Sequence, residues 1–252
     1  MAMRASLLAL LLLCFSSLLS AERITIAAAS DLRFALDEVI VEYKRLHTEA
    51  QIEVIYGSSG KMTTQIIHGA PYDLFFSADI AFTQRLKAAG LAASEPEVYA
   101  LGRIVLWSAS TDASRLTLAD LTNQKFKRIA IAQPTHAPYG MRAKEAMLAA
   151  GVWQQVQSKL VFAENIAQAA QMAQSGAADI AVIALSLVKF PDFKSQGYSL
   201  IPAELHKPLT QGYVVTQRGK DKKEVLDFAR FMATDSAHLI MKKYGFTVPD
   251  SQ

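Results

Sequence analysis

Cysteine is almost absent from this sequence: the 252 residues contain only Cys14. Cys14 lies within an apolar run at residues 7–19, which follows Arg4 and precedes the small residues Ser20-Ala21. This order is typical of a cleaved secretory signal peptide, and the run is short for a membrane span. We therefore predict a signal peptide at residues 1–21. The mature chain would then have no cysteine, which excludes disulfides, thiol nucleophiles and cysteine-ligated metals.

Excess charge of either sign is also lacking. Removal of Arg4 with the signal peptide leaves 25 basic and 23 acidic residues. A balance so close to neutral provides no electrostatic footprint for nucleic acid or a membrane surface. The five histidines are scattered without the spacing of metal ligands, and we predict neither a bound metal ion nor a cofactor.

Short apolar strands alternate with amphipathic helices along the mature chain. Strands are predicted near residues 23–28, 52–56 and 73–77, each followed by a helical pattern. This alternation indicates an α/β fold in which a parallel sheet carries helices on both faces. Ligands of such sheets bind beyond the carboxyl ends of the strands.

The same pattern begins again after a longer strand at residues 99–107, with no low-complexity linker between the two parts. We interpret this as two doubly wound lobes joined by two crossover strands. The predicted division places residues 22–101 and 216–252 in lobe 1 and residues 102–215 in lobe 2.

Four loops precede helices and carry the residues of a candidate site. Each would present backbone N–H groups at a helix N-terminus, and several add hydroxyl groups, which together favour a small oxyanion. They contain Ser30-Asp31, Ser58-Ser59, Pro138-Tyr139-Gly140 and Glu164-Asn165-Ile166.

Parts of two catalytic motifs occur at the second loop. The sequence Gly57-x-x-Gly60-Lys61 is two residues too short for a phosphate loop, and Met62 occupies the place of its Ser or Thr. Ser58 and Lys61 also form an S-x-x-K motif, which is found in periplasmic serine hydrolases, but its companion motifs are absent. We expect Lys61 to point to solvent, and keep the hydrolase as a remote alternative.

Taken together, the loops resemble the periplasmic molybdate-binding proteins of ABC importers. The resemblance runs through the whole mature chain in the correct order. It is carried by residues 27–30 (Ala-Ala-Ala-Ser), 57–60 (Gly-Ser-Ser-Gly), 69–79, 137–140 (Ala-Pro-Tyr-Gly), 164–166 (Glu-Asn-Ile), 175–179 and 244–246.

The resemblance implies a type II periplasmic-binding-protein fold that closes over one molybdate or tungstate. Ser30 and Ser59 would donate hydroxyl and backbone hydrogens, while Tyr139 and Ile166 would donate backbone N–H groups. These four residues would reach the metal only through molybdate oxygens. Part of the family adds a tyrosine hydroxyl from the strand that here ends at Ala184, and alanine cannot replace it.

The implied protein is a periplasmic receptor without enzymatic activity or cofactor. Its partners would be the oxyanion and an inner-membrane ABC permease, and we expect a monomer that binds no nucleic acid. Receptors for phosphate, sulfate or a chelated metal remain alternatives.

Asp31 is the main departure from the family pattern. In one branch the residue at this position contributes to the site, but a carboxylate aimed at a dianion would repel it. A carboxylate could instead accept a hydrogen bond from a protonated anion such as hydrogen phosphate. We predict that Asp31 offers its N–H to the ligand while its side chain caps the following helix, facing away.

Overall fold

A computed structural model describes residues 23–191, 193 and 197–249. The predicted signal peptide at residues 1–21 lies outside this part of the chain. Among the described residues, none of the helices combines the length and apolar character needed to span a bilayer.

The first sheet has five strands in the order β2-β1-β3-β10-β4. β1 pairs in parallel with β2 and β3, whereas β10 is antiparallel to β3 and β4. The strands are β1 (Ile24–Ala29), β2 (Ile52–Gly57), β3 (Leu74–Ser77), β4 (Glu97–Gly102) and β10 (Leu209–Val215).

The second sheet also has five strands, in the order β7-β6-β8-β5-β9. β6 is parallel to β7 and β8, and β5 is antiparallel to β8 and β9. Its strands are β5 (Ile104–Trp107), β6 (Ile129–Ala132), β7 (Leu160–Ala163), β8 (Ile180–Ala184) and β9 (Tyr198–Leu200).

Helices connect the strands and cover the sheets. They are α1 (Arg33–Leu46), α2 (Ser59–Ile67), α3 (Ile80–Ala88), α4 (Pro138–Ala149), α5 (Trp153–Val156), α6 (Ile166–Gln174), α7 (Leu185–Val188), α8 (Lys223–Phe231) and α9 (Asp235–Lys243). Short 3-10 turns lie at Ser30–Leu32, Leu118–Thr122, Gln157–Lys159 and Ala203–Leu205.

The predicted two-lobed α/β fold is confirmed, but each sheet is mixed instead of wholly parallel. The predicted long strand at 99–107 is two strands interrupted at Arg103, so that β4 belongs to the first sheet and β5 to the second. The chain crosses between the lobes at this break.

The return crossing differs from the predicted division. The predicted division places residues 209–215 in lobe 2, but the hydrogen bonds of β10 to β3 and β4 place this strand within the first sheet. We therefore propose that lobe 2 ends before Leu209. The predicted boundary between residues 101 and 102 remains a prediction.

Each lobe has its own apolar core. In the first, Phe76 packs against Tyr99, Tyr213 and Phe228, with ring centroids 5.2–6.5 Å apart. In the second, Trp107 is fully buried among the side chains of its sheet, as its position in a strand predicts. With the strands fixed by these cores, the carboxyl ends of β1, β2, β3, β6 and β7 present their loops to the space between the lobes.

Candidate functional site

A small cavity lies between the lobes at the ends of these strands. In this arrangement of the lobes it has room for about one water. A cavity so small is far from the size of a sugar, peptide or vitamin. The cavity is lined by Ala29, Ser30, Asp31, Gly57, Ser58, Ser59, Ala78, Ala137, Pro138, Tyr139 and Ile166.

Ser59 begins α2 and is fully buried at the cavity wall. Its Oγ accepts a hydrogen bond from the backbone N–H of Ala78 at 3.0 Å. Because a hydroxyl has one hydrogen to donate and two lone pairs, this contact leaves the hydroxyl hydrogen available to a ligand. Ala78, which sequence reasoning missed, therefore orients the Ser59 hydroxyl. In the sequence, this loop is included only in the Gly69–Asp79 segment of the family resemblance.

Ser30 follows β1 and faces the second lobe. Its Oγ donates to Oδ1 of Asn165 at 3.1 Å and accepts from the N–H of Ala167 at 3.3 Å, so its hydroxyl hydrogen points to Asn165 and its backbone N–H is the group left for a ligand. Asn165 also caps α6 by accepting from the N–H of Gln168 at 3.0 Å, as predicted for this position. The first site loop is thus tied directly to the N-terminus of α6.

Tyr139 and Ile166 occupy the first turns of α4 and α6. The first N–H groups of an α-helix have no partner within the helix and carry partial positive charge. Gly140 allows α4 to begin close against β6, since a Cβ there would lie 2.6 Å from the carbonyl carbon of Ala132. The two predicted backbone donors therefore line the same cavity as Ser30 and Ser59.

Asp31 does not cap the helix. The 3-10 turn and α1 begin without any side-chain cap, so this part of the hypothesis is wrong. Instead Asp31 is buried, and its Oδ2 accepts from the Tyr139 hydroxyl at 3.0 Å and from Nε2 of Gln211 at 2.8 Å. The Gln211 side chain in turn accepts from the Tyr99 hydroxyl at 2.6 Å. These buried donors, which come from both lobes, hold the Asp31 side chain in place of the helix N-terminus.

Burial raises the pKa of the Asp31 carboxyl to about 6, because the low dielectric disfavours its charged form. The hydrogen bonds from Gln211 and Tyr139 oppose this shift, as do the nearby backbone N–H groups of Asp31 and Leu32. Burial, and then the nearby Asp31 charge, hold the pKa values of the Tyr139 and Tyr99 hydroxyls well above their usual range, so both stay protonated donors.

Several contacts bridge the two lobes around the cavity. The backbone N–H of Gly60 donates to the carbonyl of His136 at 2.9 Å, and the Ser58 Oγ lies 2.9 Å from Nδ1 of the same histidine. Arg142 of α4 pairs with Asp79, which caps α3, at 2.7 Å. These contacts join segments that are separate in the fold, so the structure represents the lobes in a closed arrangement.

The S-x-x-K pair does not form a catalytic unit. The Lys61 ammonium lies 3.1 Å from the Glu164 carboxylate of the second lobe, and both side chains are about half exposed. The ion pair directs the Lys61 side chain toward the second lobe, and no hydrogen bond joins it to the Ser58 hydroxyl in the described structure. The Ser58 hydroxyl contacts His136 instead, and within the described residues no carboxylate makes a hydrogen bond that would orient that ring. The pairing also shows that Lys61 is not simply directed to solvent.

The site can hold an anion by neutral groups. Among the described residues that line the cavity there is no lysine, arginine or histidine. Groups of three or more His, Cys, Asp or Glu side chains arranged to ligate a metal ion are likewise absent from the described ranges. Apart from the Asp31 carboxyl, the polar groups of the lining are hydroxyls and helix N-termini from both lobes, which suit a small oxyanion.

Comparison with known proteins gives consistent results. A family model described as bacterial extracellular solute-binding protein matches residues 24–247. The chain is 31% identical over 229 residues to the molybdate-binding protein ModA of Azotobacter vinelandii, covering 90% of each protein. It is 34% identical over 196 residues to ModA of Rhodobacter capsulatus, covering 76% of this chain and 75% of the relative. The solved structure of the Azotobacter vinelandii periplasmic molybdate-binding protein superposes with a TM-score of 0.83 at 28% identity, covering 90% of this chain and all of that one.

Proposed function

Because the chain belongs to the family of bacterial extracellular solute-binding proteins, and within it to the molybdate-binding proteins, we propose that it binds molybdate or tungstate between its lobes for an ABC importer. The two anions have the same charge and nearly the same size, so both fit the proposal. The protein acts as a receptor, without a reaction of its own and without a cofactor.

The cavity between the lobes is the observation that carries this proposal. It is small, and Ser30, Ser59, Tyr139 and Ile166 all line it. Each of the four contributes an N–H group, a hydroxyl or both to the cavity wall. These groups would contact the oxygen atoms of the anion, and none would coordinate the molybdenum atom itself.

Hydrogen bonds to a charged group contribute roughly 1.5–3 kcal/mol each. The Ser59 hydroxyl and four backbone N–H groups from these residues would therefore offset much of the desolvation of a dianion, and the Ser30 hydroxyl would add to them on turning from Asn165 to the anion. A lysine or arginine in the cavity is not required for such binding. Neutral donors also leave the cavity without a charge that would attract other anions indiscriminately.

Closure of the lobes is the proposed signal to the permease. The contacts of His136 with Ser58 and Gly60, and of Arg142 with Asp79, require the lobes to be together. An anion that contacts both lobes stabilises this arrangement over an open one, as in other hinged binding proteins. We further propose a periplasmic monomer that meets an inner-membrane permease and binds no nucleic acid.

The test is an oxyanion panel on the purified mature protein, residues 22–252. Molybdate, tungstate, sulfate and phosphate are compared by thermal shift and calorimetry at neutral pH. A ligand at one hundred times its Kd adds about 2.7 kcal/mol to the free energy of unfolding, which gives a clear rise in Tm. We expect molybdate and tungstate to bind with one-to-one stoichiometry and to bind more tightly than the other two.

A Ser58→Ala variant tested with an acyl-enzyme probe completes the panel. We expect no covalent labelling of the parent protein. Tighter binding of phosphate than of molybdate, or labelling that Ser58→Ala abolishes, would overturn the proposal.

A further inference from the structure

The two oxygens of the Asp31 carboxyl have different surroundings. Oδ2 accepts hydrogen bonds from Tyr139 and Gln211. Oδ1 is equally buried, yet it has no hydrogen-bond partner within the described structure. Asp31 itself lines the cavity between Ser30 and the Tyr139 helix. A buried, unpartnered carboxylate oxygen is costly, and a ligand or a proton is needed to satisfy it.

The titratable groups around this carboxyl are few. The hydrogen bond from Tyr139 of α4 lowers the pKa of Asp31, and the Asp31 charge raises the pKa values of Tyr139 and of Tyr99 in β4. Two of the elements that pack on this turn, α6 and α7, carry no charged residue between Ile166 and Gln174 or between Leu185 and Val188. On α1, the nearby Arg33 is exposed and lies over the ring of Tyr56. No cation among the described hydrogen-bond partners of Asp31 therefore neutralises it.

We propose that Asp31 links oxyanion capture to the uptake of one proton, which binds Oδ1 of Asp31 and is donated in a hydrogen bond to the bound anion. The proton comes from solvent, so the site takes in one dianion and one proton and gains a single net negative charge. This inference rests on the proposed function, since it concerns the same cavity.

The reason is electrostatic. In the closed cavity a charged Asp31 would face a dianion with little solvent between them, which disfavours the pair strongly. Protonation removes this repulsion and converts an unsatisfied acceptor into a donor. Asp31 is thus a specificity residue: it admits a fully ionised oxyanion only with a proton.

The direction with pH follows from linkage. Burial already raises the pKa of Asp31 to about 6, and the bound anion raises it further. Between these two pKa values the complex holds one more proton than the free protein. In that range, above about pH 6, affinity should fall about tenfold for each unit of rising pH. Below about pH 6 the dependence should flatten, because the free protein is then already protonated.

Asp31→Asn is the matched variant. Its amide oxygen can still accept from Tyr139 and Gln211, while its NH₂ group supplies a permanent donor where Oδ1 lies. We expect this variant to bind molybdate with an affinity that is constant between pH 6 and 9. His136→Gln controls for the other titratable side chain near the cavity, and its pH slope should equal that of the parent.

The experiment is calorimetry of the mature protein with molybdate from pH 6 to 9, in buffers of different ionisation enthalpy. The parent should take up close to one proton per anion at pH 8, and Asp31→Asn none. Molybdate binding without proton uptake would overturn this inference while leaving the proposed function intact. Absence of molybdate binding at every pH would instead remove the proposed function.

Two further outcomes also decide against the inference. One is that Asp31→Asn keeps the slope of the parent or that His136→Gln loses it. The other is that phosphate binds the parent more tightly than molybdate and is lost in Asp31→Asn, since Asp31 would then accept a proton that the ligand carries. If Asp31→Asn fails to fold, proton uptake by the parent still decides the matter.

Discussion

Gly60 offers a direct test of whether lobe closure contributes to anion affinity. It lies in the first turn of α2, and its N–H donates to the His136 carbonyl of the second lobe at 2.9 Å. A Cβ at this position would lie 2.6 Å from that carbonyl oxygen and 3.0 Å from the His136 Cα. Gly60→Ala therefore adds one methyl group to a contact that is made only when the lobes close.

The size of the effect can be estimated from this geometry. The obstructing atoms belong to the backbone and cannot rotate away, so the lobes must separate by several tenths of an ångström. Overpacking of this kind costs about 1–3 kcal/mol. Because 1.4 kcal/mol corresponds to a tenfold change in Kd, molybdate should bind about 5- to 150-fold more weakly. In the ligand-free protein the lobes are free to open and relieve this contact, and alanine favours α2 by about 0.5–1 kcal/mol over glycine, so the loss of stability without ligand should be smaller than the loss of affinity.

The assay combines calorimetry for Kd, thermal unfolding without ligand, and small-angle X-ray scattering with and without molybdate. Thr64→Ala on the same helix is the control, because the Thr64 hydroxyl contacts only the Gly60 carbonyl within lobe 1. We expect its Kd to stay within a few-fold of the parent. Unchanged affinity in Gly60→Ala would refute the reasoning, as would a parallel loss of affinity and ligand-free stability.

Three other predictions follow from the same contacts. Ser59→Ala removes a hydroxyl donor and should weaken molybdate binding by about 1.5–3 kcal/mol, or roughly 10- to 150-fold by calorimetry; a change below threefold would mean that the hydroxyl does not reach the anion. Arg142→Ala breaks the pair with Asp79, in which both side chains are mostly buried, and should weaken molybdate binding about tenfold. Arg142→Lys should restore part of the affinity. Equal affinity in the parent and both variants would contradict a role of this pair in closure. The raised pKa of Asp31 means that its contribution to stability is fully present below pH 3.8 and lost as pH rises through about 6. Asp31→Asn should therefore stabilise the ligand-free closed protein by about 3 kcal/mol at pH 8 and hardly at pH 4, measured by denaturant unfolding; a gain that is the same at both pH values would contradict this sign.

Much of the local structure follows from the sequence because it depends on neighbouring residues. The periodicity of residues 32–46 predicts an amphipathic helix, and α1 is found at Arg33–Leu46. Asp79 and Asn165 cap α3 and α6, as an aspartate or asparagine at the start of a helix predicts. The break at Arg103 could not be predicted this way, because residues 99–107 look like one continuous apolar strand. Only pairing with two different sheets divides them.

The same distinction between neighbouring and distant residues applies to the candidate site. The sequence by itself determined which loops would carry donors, since a serine or a helix N-terminus is recognisable from a few residues. It also predicted that Ser30, Ser59, Tyr139 and Ile166 would meet, through resemblance to a family. The tertiary structure decided the surroundings of Asp31, because its partners Tyr139 and Gln211 are 108 and 180 residues away along the chain. A local pattern predicts such a residue as a helix cap, whereas burial against distant donors makes it the one acidic side chain among the described residues of the cavity wall.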